Sequence, residues 1–148
     1  MSYDVALLHH GQRMLMADCG LDWDAVQLDE DDEICFLDTH ERMVTVRFFT
    51  DAGTTWLRVF VNAAQDLKRS AKLLREVNEL NVSLIACRAL LLGSRLMLSA
   101  EVTLESLEPD ELRRLVDLLS ENAERSGPMI QMLYGQESPD RQGKQVEP

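Results

Sequence analysis

LIACRALLLGSRLMLSAEVT, residues 84–103, is the stretch that decides the fold. Two apolar runs, 84–92 and 95–103, flank Gly93-Ser94, a pair suited to a two-residue hairpin turn. With Leu92 opposite Arg95, side chains alternate between two faces. One face carries Ile85, Cys87, Ala89, Leu91, Leu96, Leu98, Ala100 and Val102, all apolar. The other carries Ala86, Arg88, Leu90, Leu92, Arg95, Met97, Ser99 and Glu101. A slip of one residue would bury Arg88, Arg95 and Glu101, so the register is specified by the sequence. Each Leu or Ile buried here contributes roughly 1.5–3 kcal/mol, which makes this hairpin a predicted pillar of the core.

Upstream, residues 42–50 and 54–62 are rich in β-branched and aromatic side chains and form a second predicted hairpin. Asp51-Ala52-Gly53 suits a three-residue turn with Gly53 in the left-handed conformation. That turn sets Phe48 opposite Trp56, Val46 opposite Arg58 and Val44 opposite Phe60. The predicted core face is then Val44, Val46, Phe48, Trp56 and Phe60, interrupted by Arg58. Met43, Phe49, Leu57, Val59 and Val61 fall on the other face, with Thr45, Arg47 and Thr55 among them. Five apolar residues are too many for a plain solvent face. Such a face calls for a cover, whether the first helix, a second subunit or a client, and these five are the candidate partner or dimer surface. Opposite Phe48, Trp56 reads as a core residue, whereas Trp23 belongs to no periodic element and stays open between packing and a binding anchor.

The remaining elements are helical or short. A first helix is predicted over 3–18, with Ser2 as its cap, Val5, Leu8, Leu15 and Cys19 on one face, and Gly20 as its stop. Short strands at 25–29 and 34–38 flank the acidic run Asp29-Glu30-Asp31-Asp32-Glu33. That run lacks the glycine and the alternate spacing of a calcium loop and reads as a solvated turn. A second helix starts after Asn62, with Gln65 completing a capping box. Leu67, Ala71, Leu74, Val77 and Leu80 line its face, and Asn81 ends it. A third helix starts at Pro109, carries the stripe Leu112, Leu115, Val116, Leu119 and Ala123, and stops at Gly127-Pro128. Residues 129–134 form a short helical extension. Residues 1–134 make one domain, and the polar stretch 135–148 is expected to be a disordered tail.

Composition excludes more than it assigns. The net charge of −11, from 26 acidic and 15 basic residues, disfavours nucleic acid and anionic membranes as partners. No apolar run reaches the roughly 20 residues of a membrane helix, and Met1-Ser2-Tyr3-Asp4 does not open a signal peptide, so a cytoplasmic location is expected. Cys19, Cys35 and Cys87 form no CxxC pair and read as buried thiols in a reducing compartment. His9, His10 and His40 have no ligand spacing for a metal, since adjacent helical residues point about 100° apart. No nucleophile elbow and no glycine-rich phosphate loop is present. Neither an enzyme nor a cofactor is expected.

Residues 42–126 resemble the YbjN family of bacterial sensory transduction regulators, which shares a superfamily with the class I type III secretion chaperones. The resemblance rests on the strand at 56–61, the helix ending Val77-Asn78-Glu79-Leu80-Asn81, the hairpin through Gly93 and the closing helix after Pro109. It implies an α+β fold of order α-βββ-α-ββ-α, an antiparallel sheet flanked by helices. It also implies a homodimer and, for the chaperone branch, the holding of an extended client segment. Six candidate strands exceed the usual five, and 25–29 is the weakest. The expected function is a non-enzymatic chaperone or adaptor that holds a partner polypeptide. The alternative is a YbjN-type regulatory module responding to a small ligand.

Overall fold

The structure, a computed structural model, describes residues 27–28, 34–105, 107–108 and 110–136. The chain order is β1 (Gln27–Leu28), β2 (Ile34–Leu37), β3 (Met43–Asp51), β4 (Thr54–Ala64), α1 (Ala71–Ser83), β5 (Arg88–Leu92), β6 (Arg95–Thr103) and α2 (Glu111–Tyr134). The strands form one antiparallel sheet in the order β1-β2-β3-β4-β6-β5. This is the expected α+β architecture. The helix predicted over 3–18, with His9, His10 and Cys19, lies outside the described residues, as do Trp23 and the acidic run 29–33. Of the strand predicted at 25–29, Gln27 and Leu28 are described.

The β5–β6 hairpin pairs in the predicted register, Leu92 with Arg95 through Arg88 with Ser99, but β5 starts at Arg88 rather than at 84, and Ile85, expected on the core face, is 81% exposed. Ala89, Leu96, Leu98 and Ala100 are buried on the face that meets the helices.

The β3–β4 hairpin differs from expectation. Ala52 and Gly53 both have positive φ, 50° and 79°, so they make a two-residue turn whose twist matches the strands. Asp51 therefore pairs with Thr54, and the whole ladder moves by one residue: Phe49 faces Trp56 and Phe48 faces Leu57. The core face becomes Val44, Val46 and Phe48 against Leu57, Val59 and Val61, none more than 3% exposed. This register seals an all-apolar face and leaves Arg58 outside it, whereas the predicted one would have buried a guanidinium. Leu57, Val59 and Val61 are core residues, so their assignment to a partner surface is corrected. Trp56 leaves the core for the outer face.

Helix α1 begins eight residues later than predicted, its cap moving from Asn62 to Ser70. Strand β4 continues to Ala64 through an irregularity at Asn62–Ala64, and the true cap is Ser70, whose Oγ accepts the Leu73 amide at 3.1 Å. Its buried side chains are Leu73 and Val77, while Leu74 is exposed. Leu67 is buried as part of the preceding loop, where its amide donates to the Ser94 carbonyl at 2.9 Å.

Helix α2 packs chiefly on β4 and β6 and does not stop at Gly127-Pro128. Its buried stripe runs Leu112, Val116, Leu119, Ala123, Gly127 and Ile130, so packing on both sides of Pro128 outweighs one missing amide. Gly127 is required by contact: a Cβ there would stand 2.3 Å from the Ala63 carbonyl oxygen. Arg42 ties the same point together. Its Nη1 donates to the carbonyls of Asn62 (3.2 Å) and Ala63 (2.8 Å), and its Nε donates to Glu124 on α2 at 2.8 Å. Beyond the helix, Gly135 bridges to Leu67 and the Gln136 amide donates to the Asp66 carbonyl at 2.7 Å. These two residues belong to the folded part rather than to the expected tail, of which 137–148 lie outside the described residues.

Candidate partner-binding surface

Alternation that buries Val44, Val46, Phe48, Leu57, Val59 and Val61 turns their neighbours to the opposite side of the sheet. That outer face carries Met43, Thr45, Arg47 and Phe49 from β3, and Trp56, Arg58 and Phe60 from β4. Met97, Ser99 and Glu101 join them from β6, as do Arg88 and Leu90 from β5. At its centre Phe49 and Trp56 stack as a cross-strand pair, with ring centroids 6.4 Å apart and planes 13° from parallel. The Arg58 guanidinium lies 4.6 Å above the Phe49 ring centroid and 5.9 Å from that of Phe60. Its Nε donates to Glu101 at 2.8 Å, and Arg88 donates to the same carboxylate oxygen. Two arginines, 58 and 88, thus share one glutamate in a chain whose net charge is −11. Burial is graded. Phe60 and Met97 are 9% and 8% exposed, whereas Leu37 and Met43, paired at the β2–β3 margin, are 56% and 43% exposed.

Of the predicted surface residues, the structure keeps Met43 and Phe49 on one face and moves Leu57, Val59 and Val61 into the core. Trp56, Arg58 and Phe60 are the members that sequence reasoning missed. The signal was available: β4 alternates aromatic or charged residues with Leu57, Val59 and Val61, and a purely aliphatic set is the better interior.

A second apolar region lies at the β5 edge, where Val82 and Ile85 are 88% and 81% exposed. The edge strand itself is blocked. Asn81 Oδ1 accepts the Ala89 amide at 2.7 Å and its Nδ2 donates to the Ala89 carbonyl at 3.0 Å, as a neighbouring strand would. Asn81 was expected to end the helix, which instead runs on to Ser83. A third exposed set, Met129, Met132 and Leu133, follows helical spacing at the end of α2.

Reactive chemistry is scarce among the described residues. Burial pushes the Cys87 thiol up, away from a nucleophilic thiolate. His40 stands 4.0 Å from Glu124 in an exposed pair. No group of three or more His, Cys, Asp or Glu among the described residues is placed to hold a metal ion. No described helix is long and apolar enough to cross a membrane.

A sheet sealed on one side by a helix and bordered by exposed apolar residues on the other is the build of a small polypeptide-binding domain. The chain belongs to the family of T3SS (YopN, CesT) and YbjN peptide-binding chaperones, whose model matches residues 15–136. Solved structures share the fold. A chain of the ExsC–ExsE complex aligns with a TM-score of 0.60 and 16% identity, covering 84% of this chain and 96% of that one. A chain of the HopA1–SchA chaperone–effector complex gives 0.58 and 12%, covering 83% and 96%. The Yersinia pestis type III secretion chaperone SycH, in complex with a stable fragment of YscM2, gives 0.53 and 15%, covering 81% and 96%. No curated protein sequence matches the chain.

Proposed function

We propose that this protein is a non-enzymatic cytoplasmic chaperone or adaptor that holds a segment of another polypeptide and works as a homodimer. Family membership supports the peptide-holding role, and the three solved structures are complexes with a second protein. The observation that carries the reading is the outer sheet face: exposed Leu37 and Met43 border the Phe49–Trp56–Arg58 strip. Apolar and aromatic groups beside a guanidinium suit the side chains of an extended segment. The homodimer reading rests on Val82 and Ile85, which project beside an edge strand already closed by Asn81. A second copy would therefore pack on side chains rather than extend the sheet.

Affinity capture from the native host with wild type and Met43→Asp tests the first part. A polypeptide held by wild type and lost by the variant, with thermal melting unchanged, supports it; equal capture by both refutes it. Sedimentation of wild type and Ile85→Asp tests the second. Loss of a dimer by the variant is expected, and a monomeric wild type ends that reading.

A further inference from the structure

We infer that the cleft between the β2–β3 turn and α2 is a specificity site for a lysine side chain of the bound polypeptide. The inference rests on the proposed peptide-holding role but concerns a different part of the molecule from the outer sheet face. The turn is built around Asp38. Its Oδ1 accepts the amides of His40 and Arg42, both at 2.8 Å, its own amide donates to the Arg42 carbonyl at 2.9 Å, and Glu41 takes a positive φ of 61°. The carboxylate is thereby held in place with Oδ2 buried and without a hydrogen-bond partner among the described residues. Across the cleft, Ser120 on α2 is 4% exposed, and its Oγ also has no partner among the described residues. Both residues line one cavity of about 160 Å³, whose wall also includes Phe36, Leu37, Thr39, Val116, Asp117 and Arg113.

The chemistry of these groups selects the ligand. A buried carboxylate oxygen and a buried hydroxyl without partners call for a donor. Two carboxylates against one guanidinium leave the wall net negative, so that donor is a cation. No set of three ligating side chains is placed for a metal among the described residues, which leaves an organic cation. Phe36 and Val116 provide apolar surface for an alkyl stem. An engineered cavity of about 150 Å³ holds benzene, so the space admits a butylammonium group. Lysine matches both parts, with a four-carbon stem and three rotatable donors on a compact charge.

The test uses the full-length ¹⁵N-labelled protein and two-dimensional amide spectra, titrated with Nα-acetyl-lysine methylamide, its norleucine counterpart and 1,4-diaminobutane. The lysine compound is expected to give saturable shifts at the amides of Asp38, Thr39, Asp117 and Ser120. The norleucine compound is expected to give none, and the diamine weaker ones. Asp38→Asn and Ser120→Ala should each lower the affinity about tenfold, as loss of a charge-assisted hydrogen bond does. Ser120→Ala carries the test alone if Asp38→Asn melts early. Absence of saturable shifts, equal response to norleucine, tighter binding of the diamine, or unchanged affinity in the folded variants would overturn the assignment. Because no client is used, such a failure leaves the outer-face reading to its own capture experiment.

Discussion

The two faces of the β3–β4 ladder are made from adjacent residues and have opposite properties. The inner face, Val44, Val46, Phe48, Leu57, Val59 and Val61, is aliphatic apart from one ring, and at most 3% of any member is exposed. The outer face, one residue out of phase, holds Arg47, Phe49, Trp56, Arg58 and Phe60. Shape-matched aliphatic packing gives stability, because each buried side chain contributes by area and by close contact. The outer face places its aromatic rings and a guanidinium in a chain of stacked contacts, which offers little stability but a surface of defined chemistry. The difference separates folding from recognition along a single strand: Leu57, Val59 and Val61 of β4 hold the domain together, while Trp56 and Arg58 between them give the outer face its chemistry.

Substitutions can sharpen or break that separation. Leu57→Asp places a carboxylate at a site 1% exposed, so a loss of at least about 4 kcal/mol is expected, seen as an unfolded far-ultraviolet spectrum. Were Leu57→Asp to stay folded, the inner face would not be the core. Gly127→Ala is next, because the added methyl meets the Ala63 carbonyl. Urea unfolding should report a loss of about 1–3 kcal/mol. Arg42→Ala acts at the same joint by removing a donor from the carbonyls of Asn62 and Ala63, with about 1–3 kcal/mol expected. The two losses should not add in the double variant, since both loosen α2 from the end of β4. Phe49→Ala and Arg58→Ala, on the outer face, should each change stability by about 1 kcal/mol or less, while capture of the partner falls. Stability losses as large as those on the inner face would erase the distinction.

The parts of this fold that were legible in the sequence are those where only one arrangement avoids burying charge. The β5–β6 hairpin is such a case, because Arg88, Arg95 and Glu101 share one face. The β3–β4 hairpin is not, since both candidate registers leave several apolar residues on each face. The turn that decides between them depends on Ala52 accepting a positive φ, which alanine rarely signals. The stop expected at Gly127-Pro128 failed because glycine there serves close packing on Ala63, a contact between residues 64 positions apart. The outer face was half legible: Met43 and Phe49 were placed on it, but Trp56, Arg58 and Phe60 required the correct register. The Asp38–Ser120 cleft was not legible at all, because it joins a turn to a helix far away in the chain.

Site-specific photo-crosslinking in the native host shows whether the outer sheet face receives another polypeptide. A benzophenone amino acid at position 43 should yield an adduct with a different protein, mapped by mass spectrometry to one extended segment and abolished by Phe49→Asp. The same probe at Glu121, exposed on α2, should not yield it. Adducts at position 43 only with a second copy of this chain, or identical adducts at 43 and 121, would contradict this placement of the partner.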